Sequence, residues 1–266
     1  MQYAPPMHAA EQIRSALAHV AELRGVADGA PMLRQALVGI RDYQARRFES
    51  TYADLAADSV QGPATAFFLQ ELYGGKDYAD RDGQFARVAN RLEQTLPQEV
   101  VATAALVAQL HATSEALDHA MAQTWLDLAP DLARAGAPVD ARSYLAAWRA
   151  VGRRDDRLWQ LQTVLSVGQT LSRLTRKKAL GWMLRLMHVP AQAAGLGALH
   201  QFLVLGFDTF GAMAAHPGGA TEFLGTIAQR EAGWIQALFD DDPRQAQQKL
   251  EQLLPSLSSN QAVRGP

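Results

Sequence analysis

Apolar side chains recur at intervals of three and four residues along most of this chain, and this spacing limits the fold more than any other feature. Leu33, Leu37 and Ile40 follow it near the start, and Leu110 and Leu117 follow it in the middle. Such spacing places apolar side chains on one side of an α-helix. No segment shows convincingly the alternation of a half-buried strand. The sequence therefore predicts an all-α protein.

Prolines help to divide this pattern into separate helices. Pro31 and Pro97 each suit the first turn of a helix. The longest segment, from Pro97 to Leu128, is predicted to be the central helix. With 48% hydrophobic and 20% charged residues, the composition is that of a globular protein. We expect a single compact bundle of about nine or ten helices over residues 1–255 and a disordered tail over residues 256–266.

The residues and motifs that the chain lacks exclude several functional classes. It has no cysteine, which removes disulfides, thiolate metal sites, iron–sulfur clusters and cysteine nucleophiles. Neither a Gly-x-Ser-x-Gly elbow nor a phosphate-binding glycine loop occurs. No basic segment followed by an apolar one opens the sequence, so no signal peptide is predicted. We assign no catalytic residue, and we expect a cytoplasmic protein.

Positive charge is concentrated between Arg134 and Arg185. That stretch holds eleven lysine or arginine residues and three aspartates, in a chain whose net charge is −2. The local excess could face acidic segments of the same fold or an external anion. Nucleic acid is not favoured as a partner, because the overall charge is slightly negative and no DNA- or RNA-binding motif is recognisable.

The C-terminal part of this basic stretch has the pattern of an amphipathic helix. Its candidate surface-binding residues are Arg173, Arg176, Lys177, Lys178, Trp182 and Arg185. Cations beside a tryptophan and long apolar side chains are typical of a helix that lies on an anionic membrane surface or an acidic partner. The alternative is a core helix whose apolar face is buried and whose cations face water or the acidic N-terminal half.

An uncharged stretch follows, from Leu186 to Phe207. Its length would suit a transmembrane helix, but His188, Pro190 and His200 argue against one. We therefore expect a buried core helix. A glycine-rich apolar helix serves a subunit interface as readily as an interior, so a homo-oligomer stays open.

The strongest metal-like spacing is that of His111, Glu115 and His119 on the central helix, with Asp118 beside them. These side chains fall within an arc of about 100°. A di-iron bundle would need a second ligand set with Glu-x-x-His spacing, which the chain lacks. The apolar stripe of this helix points elsewhere, so we interpret the four residues as solvated and predict no metal site.

Haem binding is left open as an alternative, with the cofactor unknown. His111, His188 or His200 could each be an axial ligand in an apolar pocket. The protein would then be a metal- or haem-containing helical enzyme or sensor.

Residues 46–82 are rich in aromatic and acidic side chains. Tyr52, Glu71 and Tyr73 form a candidate ligand-binding cleft beneath the apolar Leu186–Phe210 helix, since ligand pockets combine apolar walls with a few polar groups. The structural alternative is that Glu71 belongs to an ion-pair network that holds the turn after it.

The same region contains the string Phe67-Phe68-Leu69-Gln70-Glu71-Leu72-Tyr73-Gly74, followed by Arg81-Asp82. It resembles a family of uncharacterised proteobacterial helical proteins with a Phe-Phe-Leu-x-x-Leu-Tyr-Gly signature. Gly195-Leu196-Gly197 and Arg230-Glu231 match that family further on. The resemblance implies an all-α fold and a bacterial cytoplasmic origin. The family has no established activity, so the resemblance implies no catalytic residues.

These features favour a non-enzymatic helical-bundle binding protein. Its target would be a protein partner, an amphiphilic small molecule or an anionic surface. Metal or haem chemistry remains the competing class.

Overall fold

The protein is described by a computed structural model that covers residues 8–72 and 78–254, with the side chains of residues 71 and 72 left out. Within these residues every regular element is helical and no strand occurs, which confirms the all-α prediction. The fourteen α-helices are α1 (Ala9–Asp28), α2 (Pro31–Thr51), α3 (Ala53–Ala57), α4 (Gly62–Phe67), α5 (Ala79–Thr95), α6 (Gln98–Leu128), α7 (Pro130–Arg134), α8 (Ala141–Val151), α9 (Arg154–Leu174), α10 (Lys178–Leu186), α11 (His188–Ala193), α12 (Gly197–Ala214), α13 (Gly219–Asp240) and α14 (Pro243–Leu253). A π-helical turn, Phe68–Leu72, follows α4.

The predicted number of nine or ten helices is wrong, because short helices interrupt the connections. The helix that begins at Pro31 ends at Thr51, and Tyr52, with φ −114° and ψ 18°, separates it from α3. A single non-helical residue does not disturb the apolar spacing, so periodicity does not detect the break. The tail predicted for residues 256–266 lies outside the described residues.

Helix α6 lies at the centre of the bundle and packs against α1, α2, α8 and α9. Leu117 and Met121, on its apolar stripe, are completely buried. By length and composition α6 is also apolar enough to cross a membrane, and it is the one helix of the described ranges that passes this test. Its contacts with four helices make it a core helix of this fold.

The uncharged stretch from Leu186 to Phe207 is not the single buried helix that its composition suggested. The stretch is divided among the end of α10, α11 and most of α12. Gly195, with a φ of +66°, makes the turn between α11 and α12. Several of its apolar side chains are exposed, including those of Leu186 and Val189. The prediction is wrong because an uncharged segment need not present its apolar residues as one continuous stripe.

Helices α2 and α13 each contribute to two apolar clusters. Ile40 of α2 and Leu238 of α13 belong to a cluster with α6, α8 and α14. Phe48 of α2 and Phe223 of α13 belong to another, with α4 and α12. These two helices also supply polar residues to a cavity that α6, α8 and α9 complete.

Candidate functional site

A cavity of about 90 Å³ lies within the bundle. A single water needs roughly 10–15 Å³ of such space, so the cavity is large enough for several waters or for part of a small ligand. Its walls are formed by Arg41, Gln44, Arg47 and Phe48 of α2, Phe68 of the π-helical turn, Tyr78, His111, Ser114, Glu115 and Asp118 of α6, Tyr144 and Trp148 of α8, Arg157, Gln160, Leu161 and Val164 of α9, and Ile227, Glu231 and Ile235 of α13.

Arg47 and Glu231 form a buried ion pair at this cavity. Two guanidinium nitrogens of Arg47 donate to the two carboxylate oxygens of Glu231 over 3.3 and 2.8 Å. The Tyr52 hydroxyl donates to the same carboxylate over 2.8 Å. Burial acts to lower the pKa of Arg47, but the charge and hydrogen bonds of Glu231 outweigh it, and the pKa of Arg47 is raised. The guanidinium therefore stays charged, and Tyr52 helps to hold its partner in place.

A second ion pair joins α2 to α6. Arg41 donates to Glu115 over 2.5 Å and to Asp118 over 3.4 Å. Gln44 donates its amide to the other oxygen of Asp118 over 3.0 Å. Burial raises the pKa of Asp118 in spite of the nearby charges of Arg41 and Arg157. The negative charge of Asp118 is thus less favourable here than in water.

Arg157 of α9 lies against α8. Its guanidinium carbon is 4.2 Å from the centre of the Trp148 ring, and the Arg157 side chain also donates to Gln160 over 3.4 Å. Gln160 in turn donates to Ser114 of α6 over 2.8 Å. Arg157 and Gln160 are both buried. The positive charge of Arg157 is therefore held at the cavity by stacking and hydrogen bonds.

Buried polar atoms of the cavity wall that have no hydrogen-bond partner among the described residues include the hydroxyl of Tyr144 and the indole nitrogen of Trp148. Burial raises the pKa of Tyr144 to about 12, so its hydroxyl keeps its proton and can donate. The indole nitrogen can only donate. The Nε of Arg47, which also lines the cavity, is another unpartnered donor.

The residues of the metal-like spacing on α6 face other protein groups. His111 Nε2 is 3.0 Å from an oxygen of Asp82, which also accepts from Arg24 over 2.6 Å. His119 does not line the cavity, and burial lowers its pKa. Within residues 8–72 and 78–254, no group of three or more histidine or carboxylate side chains is arranged to hold a metal ion.

Our interpretation of that side of α6 as solvated is wrong. The side chains of His111, Glu115 and Asp118 are all largely buried. The reason is that α6 is surrounded: its apolar stripe packs into the core while its polar side lines the cavity. Amphipathic reasoning assumes that the polar side of a helix meets water, but the polar side of a central helix can meet other helices instead.

Of the predicted ligand-binding residues, the side chain of Tyr52 is described by the structure and those of Glu71 and Tyr73 are not. Tyr52 is buried and reaches the cavity through its hydrogen bond to Glu231. Tyr73 and the side chain of Glu71 lie outside the described residues. Phe68, from the same sequence string, does line the cavity. Among the histidines considered for haem, His200 Nε2 instead lies 2.8 Å from the backbone oxygen of Leu184.

The predicted surface-binding residues lie on and before α10, apart from the cavity walls. Arg173 and Lys177 both contact Glu99, over 3.3 and 3.0 Å. Arg185 contacts Asp208 over 2.7 Å. Three further members, Arg176, Lys178 and Trp182, are exposed.

Sequence reasoning missed most of the cavity, including Arg47, Tyr144, Trp148 and Glu231. One signal could have found part of it. Arg47 lies four residues after Tyr43, on the apolar stripe of α2, where a charge is unexpected. A charged residue on an apolar stripe requires a buried partner.

Comparison with known proteins gives a family but no relative of known activity. Residues 24–245 match the family described as "Domain of unknown function (DUF8198)". No curated protein and no solved structure matches the chain. The matched range includes every helix that lines the cavity. Because the match spans most of the sequence, the chain belongs to the DUF8198 family.

Proposed function

We propose that this protein binds a small amphiphilic molecule in the central cavity, through a carboxylate or a similar oxygen acceptor. The observation behind the proposal is the pair of unpartnered donors, the Tyr144 hydroxyl and the Trp148 indole nitrogen, at the cavity wall. A buried donor without a partner costs about 1–3 kcal/mol. A ligand oxygen that accepts a hydrogen bond from either donor would remove that donor's cost.

A cation lies beside one of these donors, because the guanidinium of Arg157 stacks on the Trp148 ring. The three carboxylates of the cavity wall each have an arginine partner: Glu115 and Asp118 pair with Arg41, and Glu231 pairs with Arg47. A ligand carboxylate near Trp148 would meet the positive charge of Arg157 in a region of low dielectric constant.

The apolar part of the cavity wall indicates that the rest of the ligand is apolar. Phe68, Leu161, Val164 and Ile227 lie along the cavity together with the polar groups. Ligand sites combine such apolar surface with a few polar groups that fix orientation. The ligand class is therefore a compact molecule with one acceptor group and an apolar body.

The test is a screen of short aliphatic and aromatic carboxylates against the purified protein, each paired with its primary alcohol. Binding is measured by the shift in melting temperature and by calorimetry. Two substitutions remove one donor each and keep an aromatic ring at the position, Tyr144→Phe and Trp148→Phe. We expect at least one carboxylate to bind, and each substitution to weaken it about tenfold, the equivalent of one hydrogen bond of about 1.4 kcal/mol.

The chain offers matched controls for both substitutions. Tyr43 and Trp125 also have buried polar atoms without partners, but neither residue lines the cavity. Tyr43→Phe and Trp125→Phe should leave carboxylate binding unchanged. Equal affinity in all four variants, or no carboxylate that binds better than its alcohol, would refute the proposal.

We also propose that the protein works in the cytoplasm of a bacterium, as the absence of cysteine and the signature string favour. Fractionation of cells that express the tagged chain tests the location. Recovery in a periplasmic extract would contradict it.

A further inference from the structure

An exposed apolar stripe runs along α10 and into α11. The side chains of Trp182, Leu186 and Val189 are 67%, 55% and 73% exposed. Their spacing of four and three residues places them on the same side of a helix. The break between the two helices is short, because Met187 still donates to Met183 and Ala191 still donates to Met187. Large apolar side chains rarely gather on a surface that contacts only water.

Other residues of α10 hold it against α12. Gly181 packs so closely on Phe207 that an added Cβ would lie 2.8 Å from its ring. The Leu184 carbonyl oxygen meets His200, and Arg185 pairs with Asp208. These contacts orient α10, so that Trp182 points away from the bundle.

The surroundings of the stripe are basic. No aspartate or glutamate occurs between Arg157 and Asp208 in the sequence. Five cations lie between residues 173 and 185, while Glu99 and Asp208 supply the carboxylates that pair with three of them. Arg176 and Lys178 are exposed at the start of α10, and none of the ion pairs in the described part of the chain includes them. An excess of positive charge therefore flanks the apolar stripe.

We propose that the α10–α11 face, defined by Trp182, Leu186 and Val189 with Arg176 and Lys178, docks on an anionic lipid surface. The apolar side chains would enter the boundary between head groups and acyl chains, where tryptophan is favoured. The two cations would meet lipid phosphates. Charge complementarity favours anionic lipid as the occupant, since the stripe itself is apolar and its border is positive. This inference is independent of the cavity.

The experiment is sedimentation of the full-length protein with vesicles of phosphatidylcholine alone or with one quarter phosphatidylglycerol. The charge variant is Arg176→Glu with Lys178→Glu, and the apolar variant is Trp182→Ala. We expect binding to the anionic vesicles, and at least a tenfold loss of binding in each variant. Binding should also weaken as salt rises. A variant with Arg142→Glu and Arg244→Glu changes net charge equally on exposed residues of α8 and α14, and should bind like the unaltered protein.

A second readout follows the depth of insertion. Brominated acyl chains quench tryptophan that enters the bilayer, and this quenching should disappear in Trp182→Phe. The proposal is overturned if the protein does not bind anionic vesicles. It is also overturned if the Arg176→Glu, Lys178→Glu variant binds them as well as the Arg142→Glu, Arg244→Glu variant. A dimer in solution that loses its association on Trp182→Ala would also overturn it, because the stripe would then be an interface between two copies.

Discussion

Arg47 and Glu231 are separated by 184 residues in the chain and are joined by two side-chain hydrogen bonds inside the bundle. The pair connects α2 to α13 beside the candidate cavity. Both side chains are largely buried, where water cannot offset their charges, so each charge depends on the other.

Removing one member of this pair should destabilise the fold strongly. In Arg47→Met, the Glu231 carboxylate keeps only Tyr52 of its two side-chain donors. We expect the free energy of unfolding to fall by about 3–5 kcal/mol, because a buried charge is left uncompensated. Urea denaturation measures the change.

The double variant Arg47→Met with Glu231→Leu gives the sharper result. It removes both charges, so its loss should be far smaller than the sum of the two single losses. A loss of unfolding free energy in the double variant equal to the sum of the two single losses would contradict the pairing. Arg154 and Asp240 form an exposed pair with similar geometry, and Asp240→Asn should have little measurable effect.

Asp82 should make stability depend on pH in the acid range. Burial acts to raise the pKa of Asp82, but hydrogen bonds from His111 and Arg24 outweigh it, and the pKa is lowered. A lowered pKa means that the native state favours the ionised form. This stabilisation is complete above the unfolded pKa of about 3.9 and is lost as pH falls through the folded pKa. The difference in stability between wild type and Asp82→Asn should therefore shrink below about pH 4.

The contribution of Asp118 to stability should change with pH in the opposite direction. Its pKa is raised by burial, so its protonated form stabilises the native state below the unfolded pKa. That contribution is lost as pH rises through the folded pKa. Compared with Asp118→Asn, the wild type should lose stability as pH rises from about 3.9. Urea midpoints between about pH 3 and pH 7 test both carboxylates, and parallel profiles for the two variants would contradict these assignments.

Two glycines of α13 should respond differently to alanine. A Cβ on Gly219 would lie 2.5 Å from the backbone oxygen of Met213, whereas a Cβ on Gly225 would meet nothing within 4 Å. Gly219→Ala should cost about 1–3 kcal/mol, because backbone must move. Gly225→Ala should stabilise by up to about 1 kcal/mol, the difference in helix propensity. Thermal melts of both variants test the comparison.

The start of α8 depends on a reciprocal cap. The Asp140 carboxylate accepts from the Ser143 backbone over 2.7 Å, and Ser143 Oγ accepts from the Asp140 backbone over 3.3 Å. Asp140→Ala should lower the free energy of unfolding by about 1 kcal/mol, while Asp140→Ser should retain most of the stability. Equal losses of unfolding free energy in Asp140→Ala and Asp140→Ser, measured by urea denaturation, would argue against the cap.

The long helices could be predicted because each has many turns over which apolar spacing repeats. The short ones could not. Helix α3 has five residues and α11 has six, so neither gives a periodic signal. Gly195 shows how the uncharged stretch is divided: its positive φ turns the chain between α11 and α12, yet its neighbours are as apolar as a core helix. Positions of such breaks depend on tertiary packing.

The cavity was harder to predict than the fold. Arg41 and Glu115 are 74 residues apart, and Arg47 and Glu231 are much farther. Sequence spacing shows which side of a helix a charge occupies, but it does not show which helix that side will meet. Tyr52 is predicted as a ligand-binding residue and hydrogen-bonds Glu231 of the cavity wall, whereas Tyr144 and Trp148 have the sequence pattern of ordinary core residues of a strongly amphipathic helix.

The enclosure of α6 by four helices has a consequence for backbone amide exchange. Its contacts come from α1 and α2 on one part of the chain and from α8 and α9 on another. Deuterium can therefore reach the amides of Leu117 and Met121 only when the whole bundle opens, and their exchange rates report global unfolding. Amides of α10, which contacts only α11 and α12 extensively, should exchange through local opening at much lower cost.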